Sequence, residues 1–102
     1  ITQNMPRLKQ KLEEWGIDEV VICSSINKIG YLMSPSIQAY TDAIEKNDPQ
    51  KYQLMAMCTL ASGAIKATEA YNFINSLNIQ SVVFGASSEK NIKETVSLIQ
   101  KQ

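Results

Sequence analysis

One segment of the sequence combines a short, mostly apolar strand with small residues, and this combination is typical of anion-binding turns. Residues 81–84 predict a buried strand, residues 85–88 are small, and a helix pattern begins at Glu89. This order places free backbone N–H groups at a helix N-terminus beside the carboxyl end of a strand, where proteins commonly hold a phosphate. We therefore predict an anion site at Gly85, Ala86, Ser87 and Ser88. The alternative is a tight strand-to-helix connection with a serine cap.

A second loop supports the same prediction. Ser62 and Gly63 follow the preceding strand candidate, which covers residues 53–58. In barrels of alternating strands and helices, the loops after the last two strands often share one phosphate. We therefore expect Ser62 and Gly63 to lie near residues 85–88 and to contact the same ligand.

Two lysines are further candidates for chemistry. Lys28 follows the first strand candidate and Lys66 follows Gly63, so both are expected at the ligand-binding edge. A lysine there can form a Schiff base or pair with a phosphate, although the more common role is that of a solvated loop residue. Asn27 and Tyr31 are candidates for ligand contact, and Tyr31 can instead cover the core.

The chain has no histidine, which removes the most common general base, zinc ligand and pH switch. No acid/base pair of carboxylates and no metal site is predicted. We interpret Cys23 and Cys58 as small core residues of a reduced, cytoplasmic protein, with a metal pair or a disulfide as the alternative. Met33, Met55 and Met57 are interpreted as core residues rather than as the lining of a hydrophobic pocket.

Composition restricts the class of protein. Of the 102 residues, 44% are hydrophobic and 20% are charged, as expected for one globular domain rather than a disordered chain. Ten basic and ten acidic residues cancel, and no basic stripe is visible, so a nucleic-acid surface is not expected. No apolar run is long enough to cross a bilayer, so no membrane partner is expected.

The elements that must position these residues alternate between helix and strand. Strands are predicted at 19–24, 53–58 and 81–84, and helices from Asn4–Pro6 to Gly16, from Ser34–Pro35 to residues 47–49, over 67–77 and over 89–100. Because strands alternate with helices, we expect parallel pairing and right-handed crossovers. The continuous apolar run from Val20 to Cys23 predicts a strand that is covered on both faces.

Three strands are few for a free-standing parallel sheet, because two of them are edges. Part of a (βα)8 barrel and a small open three-layer sheet are both compatible with the pattern. We predict an α/β segment over residues 1–102 that forms the C-terminal portion of a TIM (βα)8 barrel. The start at Ile1 indicates a piece of a longer protein or a processed chain. Its open edges predict association with the missing part of the barrel or with copies of itself.

The C-terminal half of the sequence resembles the last third of the aldo/keto reductases, which are (βα)8 barrels that use a nicotinamide dinucleotide. Residues 57–63 are similar to that family's strand ending in a small-Pro-Leu-x-x-Gly loop, with Thr59 in place of the usual proline. Residues 79–88 resemble the family's last strand and its following loop. Residues 91–95 lie where the family often has a hydrophobic residue followed by Glu-Asn, and Thr95 departs from that pattern.

The resemblance implies that residues 85–88 face the phosphate part of NADP, and that Lys90 and Asn91 reach its ribose or 2′-phosphate. The family's catalytic Asp, Tyr, Lys and His come from earlier strands, and this chain has no histidine. The resemblance therefore implies the C-terminal part of an oxidoreductase, which contributes a cofactor-phosphate site without the catalytic half. Two other functions stay open: an assembly module without activity, and a lyase or aldolase that acts on a phosphate-bearing ligand through Lys28.

Overall fold

The computed structural model describes residues 2–84 and 89–99. Its elements, in chain order, are α1 (Met5–Glu14), β1 (Val20–Ser25), α2 (Ile37–Glu45), β2 (Tyr52–Met57), α3 (Ala67–Asn75), β3 (Ser81–Val82) and α4 (Glu89–Ile99). The predicted alternation of helices and strands is confirmed, although β3 has two residues rather than the predicted four. The longest described helix, α4, has 11 residues, and none of the described helices is long and apolar enough to cross a membrane.

The three strands form one parallel sheet in the order β1-β2-β3. Ile22 of β1 pairs with Leu54 of β2. On the opposite flank of β1, Thr2 adds one isolated parallel bridge to Ser24, and its N–H donates to the Cys23 carbonyl at 2.9 Å. The predicted parallel pairing is therefore confirmed, and the carboxyl ends of all three strands meet at one edge of the sheet.

The helices cover one face of this sheet. Because each strand is followed by its immediate neighbour in the same direction, right-handed crossovers place α2 and α3 on the same side. The strand residues that point to that side, Ile22, Leu54 and Ala56, are at most 2% exposed. They belong to a single hydrophobic core with Met5 and Leu12 of α1, Tyr40 and Ile44 of α2, and Tyr71 and Ile74 of α3.

The opposite face of the sheet has no helix against it in the described ranges, and we call it the uncovered face. It includes Val21, Cys23, Met55 and Met57, together with Val83 directly after β3. Val21 is 54% exposed and Val83 is 48% exposed, whereas the two methionines and the cysteine are half-buried. Within the described residues β1 is therefore covered on one face rather than on both as predicted, because an apolar run does not reveal on which side the crossover helices pass.

Polar side chains start the first two helices. Asn4 Oδ1 accepts a hydrogen bond from the Arg7 N–H at 3.2 Å, which caps α1 as the sequence predicts. Ser36 Oγ accepts one from the Ala39 N–H at 3.1 Å and caps α2. The second helix therefore begins two residues after Pro35, which was predicted to open it.

A buried hydroxyl network fixes α1 and α2 against β1. The Tyr40 hydroxyl lies 2.9 Å from Ser24 Oγ and accepts the Met5 N–H at 3.0 Å. Ser24 Oγ also donates to the Thr2 carbonyl at 2.9 Å. All of these side chains except Thr2 are at most 1% exposed, so water cannot replace the bonds. The network positions the carboxyl half of β1, from which the first loop leaves the sheet.

Candidate functional site

An open groove lies at the carboxyl edge of the sheet, between the ends of β2 and β3, with a volume of about 480 Å³. The loop after β2 contributes Ser62 and Gly63, and the residues after β3 contribute Val83 and Phe84. The structure therefore brings the predicted residues Ser62 and Gly63 next to the chain that leads into residues 85–88. Gly85, Ala86, Ser87 and Ser88 lie outside the described residues, so the anion site at that turn stays a prediction.

The loop after β2 has an unusual backbone. Cys58, Ala61 and Ser62 have φ angles of 52°, 49° and 59°, and Gly63 has a φ of 88°. The left-handed region costs a residue with a side chain about 1–2 kcal/mol. The Ala61 N–H donates to the Cys58 carbonyl and the Gly63 N–H to the Leu60 carbonyl, both at 3.0 Å. The loop is thus a compact, strained turn. Of its residues with positive φ, only Gly63 is of a type that predicts this conformation from the sequence.

A buried pair of hydroxyl groups attaches this loop to α3. Thr59 Oγ1 donates to the Tyr71 hydroxyl at 3.0 Å, and both residues are at most 3% exposed. Thr59 is the residue that replaces proline in the resemblance to the aldo/keto reductases. Its hydroxyl therefore has a structural partner, which the sequence alone did not indicate because the two residues lie on different elements.

The loop after β1 is tied to the loop after β2 by Asn27, which is fully buried. Its Nδ2 donates to the Tyr31 carbonyl at 2.8 Å and to the Cys58 carbonyl at 3.3 Å, while its Oδ1 accepts the Tyr31 N–H at 2.8 Å. These bonds give Asn27 a structural role rather than the ligand contact considered from the sequence. Tyr31 and Lys28 are exposed at this edge.

The lysines near this groove are neighbours of its residues in sequence and do not line it. None of the described lining residues is charged. Lys66 lies three residues after Gly63, at the N-cap of α3, and is exposed. Lys90 and Asn91 lie in the first turn of α4 and are also exposed. The groove itself is therefore suited to the uncharged part of a ligand, and the flanking segments carry the lysines.

The two cysteines are free and half-buried. Cys23 lies in β1 on the uncovered face, with its Sγ 3.5 Å from Met57 Sδ. Cys58 lies one residue after β2 and lines the groove, although the sequence predicted it inside the strand. Met33 is 5% exposed and belongs to the core, as predicted.

A second cavity, of about 360 Å³, lies at the opposite, amino edge of the sheet. Its lining includes three positively and three negatively charged residues, namely Lys9, Lys46, Lys51, Glu13, Asp18 and Asp48. Lys9 Nζ lies 2.9 Å from Glu13 Oε1. This cavity was not predicted from the sequence, although the spacing of Lys9 and Glu13 by four residues is a recognisable signal of an ion pair on a helix.

Tyr52 forms the floor of the amino-edge cavity. Its hydroxyl donates to the Ile17 carbonyl at 2.6 Å, and Lys9 Nζ lies 5.8 Å from the centre of its ring. Burial raises the pKa of Tyr52, and the nearby carboxylates of Glu13 and Asp18 raise it further. The phenol is therefore held in its neutral form, as a hydrogen-bond donor.

Comparisons with protein-family models, with curated proteins and with solved structures found no match to this chain.

Proposed function

We propose that the carboxyl edge of the sheet binds a small molecule that carries a phosphate, and that NADP is the first ligand to test. The observation that carries the proposal is the shared groove, in which Ser62 and Gly63 lie next to Val83 and Phe84. The loop after β2 and the segment after β3, which were predicted to contact one ligand, thus line the same groove. The predicted turn at residues 85–88 follows directly from this groove.

The topology supports a portion of a barrel over an open three-layer sheet. A doubly wound sheet reverses its strand order and carries helices on both faces. Here the strands follow in chain order and the core lies on one face. Thr2 adds a fourth position in the same parallel direction beside β1. In parallel barrels the carboxyl edge is the side at which ligands bind.

The chemistry of the edge favours a dinucleotide over a free phosphate ion. Uncharged, mostly apolar walls that include Phe84 and Val83 suit the flat face of a base or a nicotinamide ring. Lys66 and Lys90 flank the groove in sequence and can pair with phosphate oxygens. A ligand with both an aromatic ring and a phosphate uses both features.

By the same proposal, the chain supplies the cofactor-binding part of an oxidoreductase that resembles the aldo/keto reductases. The cofactor, when bound, would supply hydride chemistry. The chain's own contribution is to bind and orient the cofactor, because the histidine of the family's catalytic set is absent from this sequence. The remaining catalytic groups would then come from outside this chain.

A lyase or aldolase that uses Lys28 is the second candidate. A Schiff-base lysine needs an amine that loses its charge easily, which usually requires burial or a neighbouring cation. Lys28 is exposed after β1, so the geometry favours this function less. Reduction with borohydride in the presence of a carbonyl substrate tests it, because a trapped adduct at Lys28 is expected only for this chemistry.

Calorimetric titration with NADPH, NADH and inorganic phosphate tests the proposed site. Gly63→Val is expected to weaken NADPH binding at least about tenfold, because a branched side chain at a φ of 88° distorts the loop and enters the groove. Gly16→Val is the matched control, since Gly16 has a φ of 68° and lies at the end of α1 near the amino edge.

The pair of variants separates loss of the site from general strain. Equal weakening by Gly63→Val and Gly16→Val would contradict the proposal, as would the absence of NADPH binding to the wild-type chain. Gly85→Val extends the test to the predicted turn, and it is expected to weaken NADPH more than NADH if the turn and its neighbours hold the 2′-phosphate.

A further inference from the structure

We propose that β1 and β2 carry a binding site for Cu(I), held by the thiolate of Cys23 and by the thioether sulfurs of Met57 and Met55. This inference goes beyond the proposed function, because it concerns a metal ion rather than a nucleotide. All three ligands belong to two paired strands, so the site requires no residue outside the described part of the chain.

The first observation is a direct contact between two sulfur atoms. Cys23 is a free thiol, and its Sγ in β1 lies 3.5 Å from Met57 Sδ in β2. Zinc–sulfur bonds are about 2.3 Å long, so two sulfur ligands with bonds of this length lie roughly 3.8–4.0 Å apart at tetrahedral or trigonal angles. The flexible Met57 side chain therefore needs to move by only a few tenths of an ångström for the pair to hold an ion.

The second observation is the strand register, which supplies a third sulfur. Met55 pairs with Cys23 in the parallel ladder, and both side chains lie on the uncovered face. Neighbouring strands are about 4.8 Å apart, so the long thioether side chain of Met55 can reach an ion bound at Cys23. One thiolate and two thioethers can therefore approach the same ion from two strands.

The exposure of the sulfur-containing side chains separates this cluster from the core. Met5 is 0% exposed and Met33 is 5% exposed, and both belong to the hydrophobic core. Cys23, Met55 and Met57 are instead half-buried. An ion from solvent can therefore reach the cluster without unfolding the chain.

A buried hydroxyl group beside the cluster provides an independent observation. Ser25 follows Cys23 by two positions, on the same side of β1, and pairs with Met57 in register. Its Oγ is fully buried and has no hydrogen-bond partner among the described residues. A buried polar group without a partner requires an explanation, and a nearby bound ion is one of the recognised ones. A metal-bound Cys23 thiolate is a stronger acceptor than the thiol and would accept a hydrogen bond from the Ser25 hydroxyl.

The chemistry of the ligands selects a soft, monovalent ion. Thiolate and thioether sulfurs favour Cu(I), whereas structural zinc sites combine several thiolates with histidines. The chain has no histidine, and its described residues contain no group of three or more Cys, Asp or Glu side chains that could hold a metal. On binding, the Cys23 S–H bond breaks, a Cu–S bond forms and the proton passes to solvent, so one thiolate neutralises one Cu(I).

Anaerobic titration of the 102-residue chain with Cu(I), in competition with a chromogenic Cu(I) chelator and without NADPH, tests the site. We expect one tightly bound ion per chain. Cys23→Ser and Met57→Leu are each expected to weaken binding at least about tenfold, because each removes a sulfur ligand. Ser25→Ala is expected to weaken it about tenfold through the lost hydrogen bond to the thiolate. Circular dichroism verifies that each variant is folded.

Cys58→Ser is the matched control. Cys58 is also free and half-buried, but it lies one residue after β2 and outside the paired strands. Its removal is expected to leave the Cu(I) affinity unchanged. Failure of the wild-type chain to compete with the chelator would overturn the proposal, as would equal weakening by Cys23→Ser and Cys58→Ser. Unchanged affinity in Met57→Leu or Ser25→Ala, or binding of Zn²⁺ as tight as that of Cu(I), would also overturn it.

Discussion

The two edges of the sheet are built from different chemistry. At the carboxyl edge, the described groove is uncharged, and the loops around it are fixed by the buried polar groups of Asn27 and Thr59. At the amino edge, lysines and carboxylates surround Tyr52 in a solvent-open cavity. Parallel barrels commonly use the first edge for ligands and the second for stability.

The comparison of the two edges shows that loops can be fixed by neutral hydrogen bonds without ion pairs. Hydrogen bonds between neutral buried groups fix the carboxyl-edge loops. Among the described residues that line the groove, none is a carboxylate that would oppose an anion. The amino edge instead carries equal numbers of lysines and carboxylates around its cavity, and among them Lys9 and Glu13 form an ion pair in which the Glu13 side chain is 53% exposed. We therefore expect substitutions at the carboxyl edge to change stability more than substitutions of the amino-edge charges.

The largest effect is expected for Asn27→Ala. This change removes three hydrogen bonds and leaves the Tyr31 and Cys58 backbone groups without their partner, so the free energy of unfolding should fall by about 2–4 kcal/mol. Urea unfolding measures it. Asn72→Ala, on the exposed side of α3, is the control and should change stability by less than about 0.5 kcal/mol. A similar loss of unfolding free energy in Asn27→Ala and Asn72→Ala would contradict the structural role of the buried Asn27 amide.

The next largest effect is expected for Thr59→Val. The substitution preserves shape but leaves the buried Tyr71 hydroxyl without its partner, which should lower the free energy of unfolding by about 1–2 kcal/mol. Because Thr59→Val with Tyr71→Phe removes both hydroxyl groups, the double variant should lose less than the sum of the two single losses. Strict additivity in this cycle, measured by urea unfolding, would show that the two hydroxyl groups are not coupled.

At the amino edge, we expect a pH dependence confined to alkaline conditions. The pKa of Tyr52 is raised above its ordinary value of 10.0 by burial and by the Glu13 and Asp18 carboxylates, so the folded chain holds this proton more tightly. The stability from this difference is fully present below pH 10 and is lost as the pH rises through the raised pKa. The difference in unfolding free energy between wild type and Tyr52→Phe should therefore shrink above pH 10. A constant difference between pH 8 and about 11 would argue against the raised pKa.

The smallest effect is expected for Lys9→Met. The Lys9 side chain is only 11% exposed, but that of its partner Glu13 is 53% exposed, so breaking the pair should cost less than about 1 kcal/mol and the cost should fall in high salt. Lys93→Met is the matched control, because Lys93 and its partner Glu89 are 74% and 81% exposed. No measurable loss is expected there. A loss at Lys9 larger than that of Asn27→Ala would reverse the comparison between the two edges.

The sequence predicted the elements and their direction because those depend on local pattern. The alternation of apolar strands with capped helices predicted the four helices and the parallel sheet, and Asn4 caps α1 as expected. The position of Ser62 and Gly63 at the carboxyl edge of the sheet followed from the same parallel order. These features require only the neighbours of each residue along the chain.

The remaining features depend on residues that meet only in three dimensions. The bonds from Asn27 to Cys58 and from Thr59 to Tyr71 join separate elements, so no spacing in the sequence reveals them. The left-handed backbone at Ala61 was hidden because no glycine or asparagine marks it. The uncovered face was missed for a similar reason, since the side chosen by the crossovers is a property of strand order.

The single bridge of Thr2 has a consequence for production of the protein. It occupies the flank of β1 only near Ser24, and the Gln3 carbonyl is held there by the Ser34 N–H at 2.9 Å. Along Val20–Ile22 on that flank, no strand partner is present in the described residues, so the backbone N–H and C=O groups of this edge can pair with another extended segment. An extended tag joined before residue 1 would run along this edge, so a tag at the other terminus is the safer choice against aggregation through the edge strand.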